Sequence, residues 1–184
     1  MTSLRSQLRE KTRPAHLEVE DAFARFELDT AEGSWEMVRA HILMLQRFLP
    51  EVAAYPSYHA EIARLKALVP AQHERLADLH LFAFPAVERT LHPLAIAYVI
   101  LGSRLGARML SRDLSKSTNL IAPEVLAFLG DDRSRGVWQE LCQELDGICA
   151  DQIRTEVIAD AERVFEIYRE SAVRLQQMRE GSIA

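Results

Sequence analysis

Residues 94–101 of the chain read LAIAYVIL, and residues 102–110 continue as GSRLGARML. The first stretch is the longest uninterrupted apolar run of the sequence, and it follows His92 and Pro93, a pair typical of a helix start. A helix that spans a bilayer needs roughly 20 apolar residues, more than twice the length of this run. We therefore predict a buried core helix of a soluble protein that extends to about residue 111.

Helical patterns continue on both sides of this segment. The chain has 184 residues, of which 48% are hydrophobic, enough for one well-buried core. Only seven glycines and seven prolines occur, which favours helices joined by short loops over a sheet protein. Ser3 can cap a first short helix, and Thr12 a second. The further predicted helices cover residues 35–49, 57–68, 71–81, 123–130, 134–145 and 151–179. The sequence predicts an all-α, multi-helix bundle with residues 1–184 in a single domain.

Charge and cysteine content narrow the functional classes. The net charge of −5 gives no basic field for a nucleic acid backbone, so we expect no nucleic acid partner. The start, MTSLRSQLREK, lacks the apolar segment of a secretory signal, which predicts a cytoplasmic protein with no membrane contact. Cys142 and Cys149 are seven residues apart on one helix face and do not match a CxxC spacing. We interpret them as core thiols.

His16 is the first candidate for chemistry. His16, Val19, Phe23 and Phe26 share one helix face, which predicts that the imidazole faces the interior. Glu20 follows one turn later, where its carboxylate can accept a proton from one ring nitrogen and leave the other free for a metal. Taken alone, this common spacing fits an ordinary core histidine paired with a surface glutamate better than it fits a metal site.

Two glycines interrupt the most apolar helix. Gly102 and Gly106 lie on one face, and each costs the helix about 0.5–1 kcal/mol relative to alanine. They predict a groove without side chains. Such a groove can admit either a second helix or a flat ligand, and the spacing does not decide between the two.

Three segments together resemble the heme oxygenase family. LREKTRPAHLEVE at residues 8–20 is similar to the family's proximal-helix signature, which carries a histidine and, four residues later, a glutamate. YVILGSRLGA at residues 98–107 is similar to the distal-helix signature of the bacterial members. VIADAERVF at residues 157–165 resembles the last long helix. The three matches occur in the family's order and span most of the chain.

This resemblance implies a heme site. His16 would be the axial ligand of the heme iron, with Glu20 as its hydrogen-bonding partner. Gly102, Ser103 and Gly106 would form the catalytic distal segment. The other heme contacts that the resemblance implies are Arg9 and Tyr98 near the propionates, Ala107 on the distal helix and Phe165 at the heme edge.

The implied activity is that of an oxidoreductase. Heme would serve as both cofactor and substrate, and O2 would be the co-substrate; the products would be biliverdin, iron and carbon monoxide. The chain has no flavin or nicotinamide fingerprint, so a separate ferredoxin or flavin reductase would supply the electrons. We expect a monomer or a weak dimer.

Three departures from the family keep alternatives open. Ser103 replaces the aspartate of mammalian members, Ala107 replaces their last glycine, and WQELCQ at residues 138–143 has no basic residue to hold a propionate. A non-catalytic heme-binding or heme-sensing protein is therefore the main alternative. An enzyme of the same architecture acting on thiamin-like pyrimidines would need Cys142 or Cys149 as its nucleophile, and neither has an evident histidine partner in the sequence.

Overall fold

The N-terminal segment shows how local sequence sets the helices. The Ser3 side chain accepts a hydrogen bond from the Ser6 amide at 3.3 Å and begins the first helix, as predicted. Thr12 precedes the second helix at its N-cap position, as predicted, but its side chain makes no capping bond there. Its hydroxyl instead donates to the Leu8 carbonyl at 2.8 Å, at the end of the first helix. Pro14 lies in the first turn of the second helix, where a missing N–H does no harm.

A computed structural model describes residues 2–84, 89–116 and 121–181. In this part of the chain the structure is helical, with eight α-helices and no β-strand. The helices are α1 (Leu4–Lys11), α2 (Arg13–Ala24), α3 (Ala31–Phe48), α4 (Pro56–Lys66), α5 (Pro93–Leu114), α6 (Pro123–Gly130), α7 (Arg135–Gly147) and α8 (Asp151–Gly181). The all-α prediction is confirmed.

The predicted helix over residues 71–81 is wrong. Two 3₁₀ turns, Glu74–Leu76 and Leu79–Leu81, occupy this segment. Leu76, Leu79 and Phe82 are the buried apolar residues, and they recur every third residue. They lie in the first turn, in the second turn and directly after it, so two separate short turns bury them without a regular α-helix.

Helices α5 and α8 organise the core. α8 packs against α1, α2, α3 and α5, and α5 also contacts α6 and α7. Asp160 of α8 accepts a hydrogen bond from the His92 amide at 2.7 Å, where α5 begins. Because this carboxylate is buried and also pairs with Arg89, it fixes the start of α5 against the middle of α8.

Helix α5 is long and apolar enough to cross a membrane, alone among the helices in the described ranges. Half of its most apolar window is buried inside the protein. Ile96 and Leu101, for example, are almost completely covered by neighbouring helices.

Candidate functional site

A cavity of about 1160 Å³ lies between the α1–α2 segment and helices α5, α7 and α8. The predicted site residues that line it are Arg9, His16, Tyr98, Gly102, Ser103 and Phe165. Glu20, Gly106 and Ala107 are outside the lining. Residues predicted from three separate segments of sequence therefore meet at one cavity.

His16 lies on the α2 wall of this cavity. Its Nδ1 is 3.4 Å from Oε1 of Glu20, and its ring meets the Phe165 ring edge-on with centroids 5.5 Å apart. With Nδ1 directed at the carboxylate, Nε2 is the nitrogen that can donate a lone pair to a ligand. The imidazole is 52% exposed, so the prediction that it faces a closed interior is wrong. It borders an open cavity, because the apolar face of α2 is only partly covered by other helices.

The two glycines of α5 have different surroundings. A Cβ atom at Gly102 would lie 3.5 Å from two ring atoms of Trp138 on α7, an ordinary van der Waals distance. A Cβ atom at Gly106 would meet nothing within 4 Å, and Gly106 is exposed. The groove predicted along both glycines is thus confined to Gly102, where the Trp138 indole forms its side. Ala107 is buried in the core instead.

Three arginines of the α1–α2 segment line the mouth of the cavity. Arg5, Arg9 and Arg13 are four residues apart, all exposed, and all line the cavity. Arg5 pairs with Asp146 at 3.1 Å. Burial raises the pKa of the Tyr98 phenol, the Arg9 charge partly opposes this rise, and the phenol is within hydrogen-bonding reach of the Thr12 side chain. The lining also includes the Glu10 carboxylate, so guanidinium groups outnumber carboxylates there, and this excess of positive charge suits ligand carboxylates.

Sequence patterns did not identify Tyr168 as a site residue, although it follows Phe165 by three residues on the same face of α8. Tyr168 lines the cavity, is only 4% exposed, and packs edge-on against the rings of Phe23 and His41, with centroids 5.4 Å away in each case. Burial raises its pKa, the Arg104 charge partly opposes this rise, and its hydroxyl is within hydrogen-bonding reach of the Ser103 side chain. The phenol is therefore neutral and held in one place.

Arg104 holds the α5 wall of the cavity in place, although its own side chain does not line the cavity. Its guanidinium donates to the Phe128 and Leu129 carbonyls at the end of α6 and lies over the Phe128 ring, 4.9 Å from its centroid. A cation at this position satisfies the unpaired carbonyls of a helix C-terminus and interacts favourably with the helix dipole. It therefore fixes α5 to α6 beside Ser103.

His41 is a half-buried neighbour of the cavity wall. Its Nδ1 lies 2.9 Å from the Met37 carbonyl, and the rings of Phe23, Phe128 and Tyr168 surround it at 5.4–6.0 Å. Burial lowers its pKa from 6.5 to about 4, more than the hydrogen bond with Met37 raises it. The imidazole is neutral at pH 7 and contributes no charge to the cavity.

The two cysteines are in different environments. Cys142 is buried and lines the cavity on α7, whereas Cys149 is exposed, with its sulfur 3.6 Å from the Gly147 carbonyl. The prediction of two core thiols is therefore wrong for Cys149. It lies just beyond the end of α7, so the seven-residue periodicity does not apply to it.

Metal-binding side chains are sparse in residues 2–84, 89–116 and 121–181, where no three His, Cys, Asp or Glu side chains converge on one point. A metal at His16 would need most of its ligands from a chelating group bound in the cavity. Compared with known proteins, the chain matches no protein-family model and no curated protein.

Proposed function

We propose that this chain binds heme with His16 as the iron ligand and degrades it, as an oxygenase, to biliverdin, iron and carbon monoxide. The observation that carries the proposal is the meeting of His16, Gly102 and Phe165 at one cavity. Pockets for small ligands typically have volumes of about 300–1,000 Å³, and this cavity is slightly larger, which leaves room for a large flat ligand such as a porphyrin.

The residues present fit heme. A histidine with a free Nε2 suits an iron whose other ligands come from a porphyrin. The backbone at Gly102 permits close approach of a flat ring, and Arg9 and Arg13 at the mouth can pair with propionates. When bound, heme would supply a redox-active iron and would also be the molecule that is oxidised.

The chain's own side chains would position the ligand. Glu20 would hold the proton on Nδ1 of His16 and so keep the imidazole oriented, while Phe165 restricts the tilt of the ring through their edge contact. Trp138 would limit lateral movement beside Gly102. O2 and electrons from a ferredoxin or flavin reductase would complete the reaction, because the sequence offers no flavin or nicotinamide motif of its own.

A non-catalytic heme-binding protein is the second candidate. Ser103 stands where mammalian heme oxygenases carry an aspartate, and its hydroxyl donates to the Ile100 carbonyl at 2.8 Å. Its hydrogen is therefore not free for a ligand. Trp138 and Cys142 line the cavity where a basic residue would otherwise hold a propionate.

Hemin titration of the purified protein separates these functions. We expect a Soret band that His16→Ala removes, that added imidazole restores, and that His80→Ala leaves unchanged, since His80 is exposed and outside the cavity. Addition of a reductant in air should then convert the Soret band to a biliverdin spectrum. A Soret band that persists under these conditions favours the non-catalytic protein, and failure to bind hemin refutes both proposals.

A further inference from the structure

The hydroxyls of Thr12 and Ser103 are uncharged hydrogen-bond donors in the cavity lining, and a main-chain carbonyl already accepts the hydrogen of each. The Thr12 hydroxyl donates to the Leu8 carbonyl, and the Ser103 hydroxyl donates to the Ile100 carbonyl, each at 2.8 Å. Each of these side chains retains acceptor lone pairs and has no second hydrogen to donate. Neither can donate to a ligand without breaking its existing bond.

Trp138 also lines the cavity beside Gly102, but the ring atoms it presents there are the carbons Cζ3 and Cη2, on the opposite edge of the indole from its N–H. Its N–H therefore does not face the space beside Gly102.

The other polar groups near Ser103 lie outside the cavity lining or toward its mouth. Arg104 is outside the cavity lining and donates to the carbonyls at the end of α6. His41 has its Nδ1 at the Met37 carbonyl, and its lowered pKa leaves no proton on Nε2 when Nδ1 carries one. Tyr98 lies beside Thr12 and Arg9, toward the mouth of the cavity.

Tyr168 remains. Its ring is held between the rings of Phe23 and His41, both it and Ser103 line the cavity, and its hydroxyl is within hydrogen-bonding reach of the Ser103 side chain. Ser103 has already given its hydrogen to Ile100, and its oxygen can only accept from Tyr168. The phenol O–H can therefore point to Ser103 when the cavity is empty, or to a ligand when one is bound.

We infer that Tyr168 is the residue that donates a hydrogen bond to a small anionic or polar ligand bound beside Gly102 and Ser103 in this cavity. This inference rests on the proposed function, because the small ligand would bind to the heme that His16 would hold. Tyr168 then supplies the hydrogen bond that Ser103 does not.

Azide binding to the hemin complex of the full chain tests the inference without measuring turnover. We expect Tyr168→Phe to bind hemin as the wild type does and to bind azide about two- to tenfold more weakly, the effect of losing one hydrogen bond. Tyr55→Phe is the matched control, because Tyr55 is half-buried and outside the cavity, and it should leave both affinities unchanged.

Ser103→Ala provides a second variant with the opposite expectation. Without the serine oxygen the phenol has no competing acceptor, so azide should bind at least as tightly as in the wild type. A structural defect would weaken azide binding in both variants. Hemin binding with unchanged azide affinity in Tyr168→Phe overturns the inference alone, and so does weaker azide binding in Ser103→Ala. Failure of the wild type to bind hemin overturns the proposed function and the inference with it.

Discussion

Gly102→Ala should stabilise the free protein and weaken hemin binding. Glycine within a helix costs about 0.5–1 kcal/mol relative to alanine. The added methyl would lie 3.5 Å from the Trp138 ring, so the free structure accommodates it without a clash. The free energy of unfolding should therefore rise by about 0.5–1 kcal/mol, which raises Tm by about 1–4 °C in a chain of this size.

The same methyl occupies space at the cavity wall. Gly102 lines the cavity, and a flat ligand against the backbone would have to move away from the methyl or displace Trp138. Forcing an extra methyl into a packed contact costs about 1–3 kcal/mol, so the Kd for hemin should rise by about fivefold to over a hundredfold. Stability and affinity are thus expected to change in opposite directions.

Gly106→Ala is the matched comparison on the same helix. Gly106 is exposed, its Cβ would meet nothing, and it is outside the cavity lining. We expect the same gain in Tm and an unchanged Kd for hemin, measured by thermal unfolding of the free protein and by Soret titration. Equal hemin affinity in the two variants would refute the assignment of the Gly102 backbone to the ligand-contacting wall.

Three further predictions follow from the surroundings of the cavity. In Trp35→Phe the remaining tryptophan is Trp138 at the cavity, and hemin should quench its fluorescence strongly. In Trp138→Phe the remaining tryptophan is Trp35, which is buried beside His73 outside the cavity, and hemin should quench it less. Equal quenching in the two variants would contradict the location of the site. Burial lowers the pKa of His41 from 6.5 to about 4. As the pH falls from 6.5 to about 4, this side chain therefore becomes protonated in the unfolded chain but stays neutral in the folded protein. Stability should be complete above pH 6.5 and fall by up to about 3 kcal/mol as the pH drops to 4, and His41→Gln should remove this component in urea unfolding curves. Arg104→Met should cost about 2–3 kcal/mol in the same assay, because the carbonyls at the end of α6 lose a charged donor in the interior; a smaller loss would show that water replaces it.

Most helices could be predicted because capping residues and prolines mark where they begin. Ser3 and Pro93 are at the starts of α1 and α5, as predicted. The prediction of a helix after Pro70 was wrong because the buried residues there recur every third position. Both an α-helix and two separate 3₁₀ turns can bury residues at that spacing. The decision between them depends on the helices that cover those side chains, which local sequence does not specify.

The cavity shows the same limit. Periodicity placed His16 on the apolar face of its helix, but how much of that face is covered depends on the arrangement of α5, α7 and α8. Spacing likewise placed Gly102 and Gly106 on one face, while Trp138, a residue from a distant helix, distinguishes them. Tyr168 was detectable in principle, because it shares a helix face with Phe165; its importance comes from the bond between Ser103 and Ile100, which no sequence pattern reveals.

The two walls of the cavity differ in how firmly they are fixed. Arg104 joins α5 to α6, Trp138 packs on Gly102, and Tyr168 is held among buried rings. The α1–α2 wall instead presents exposed side chains, among them Arg9 and His16. A rigid wall loses little conformational entropy when a ligand binds, whereas long exposed side chains must be ordered. The entropic cost of ligand binding therefore arises mainly at the α1–α2 wall. At His16, the residue whose orientation matters most, the contact with Phe165 and the Glu20 carboxylate reduce that cost.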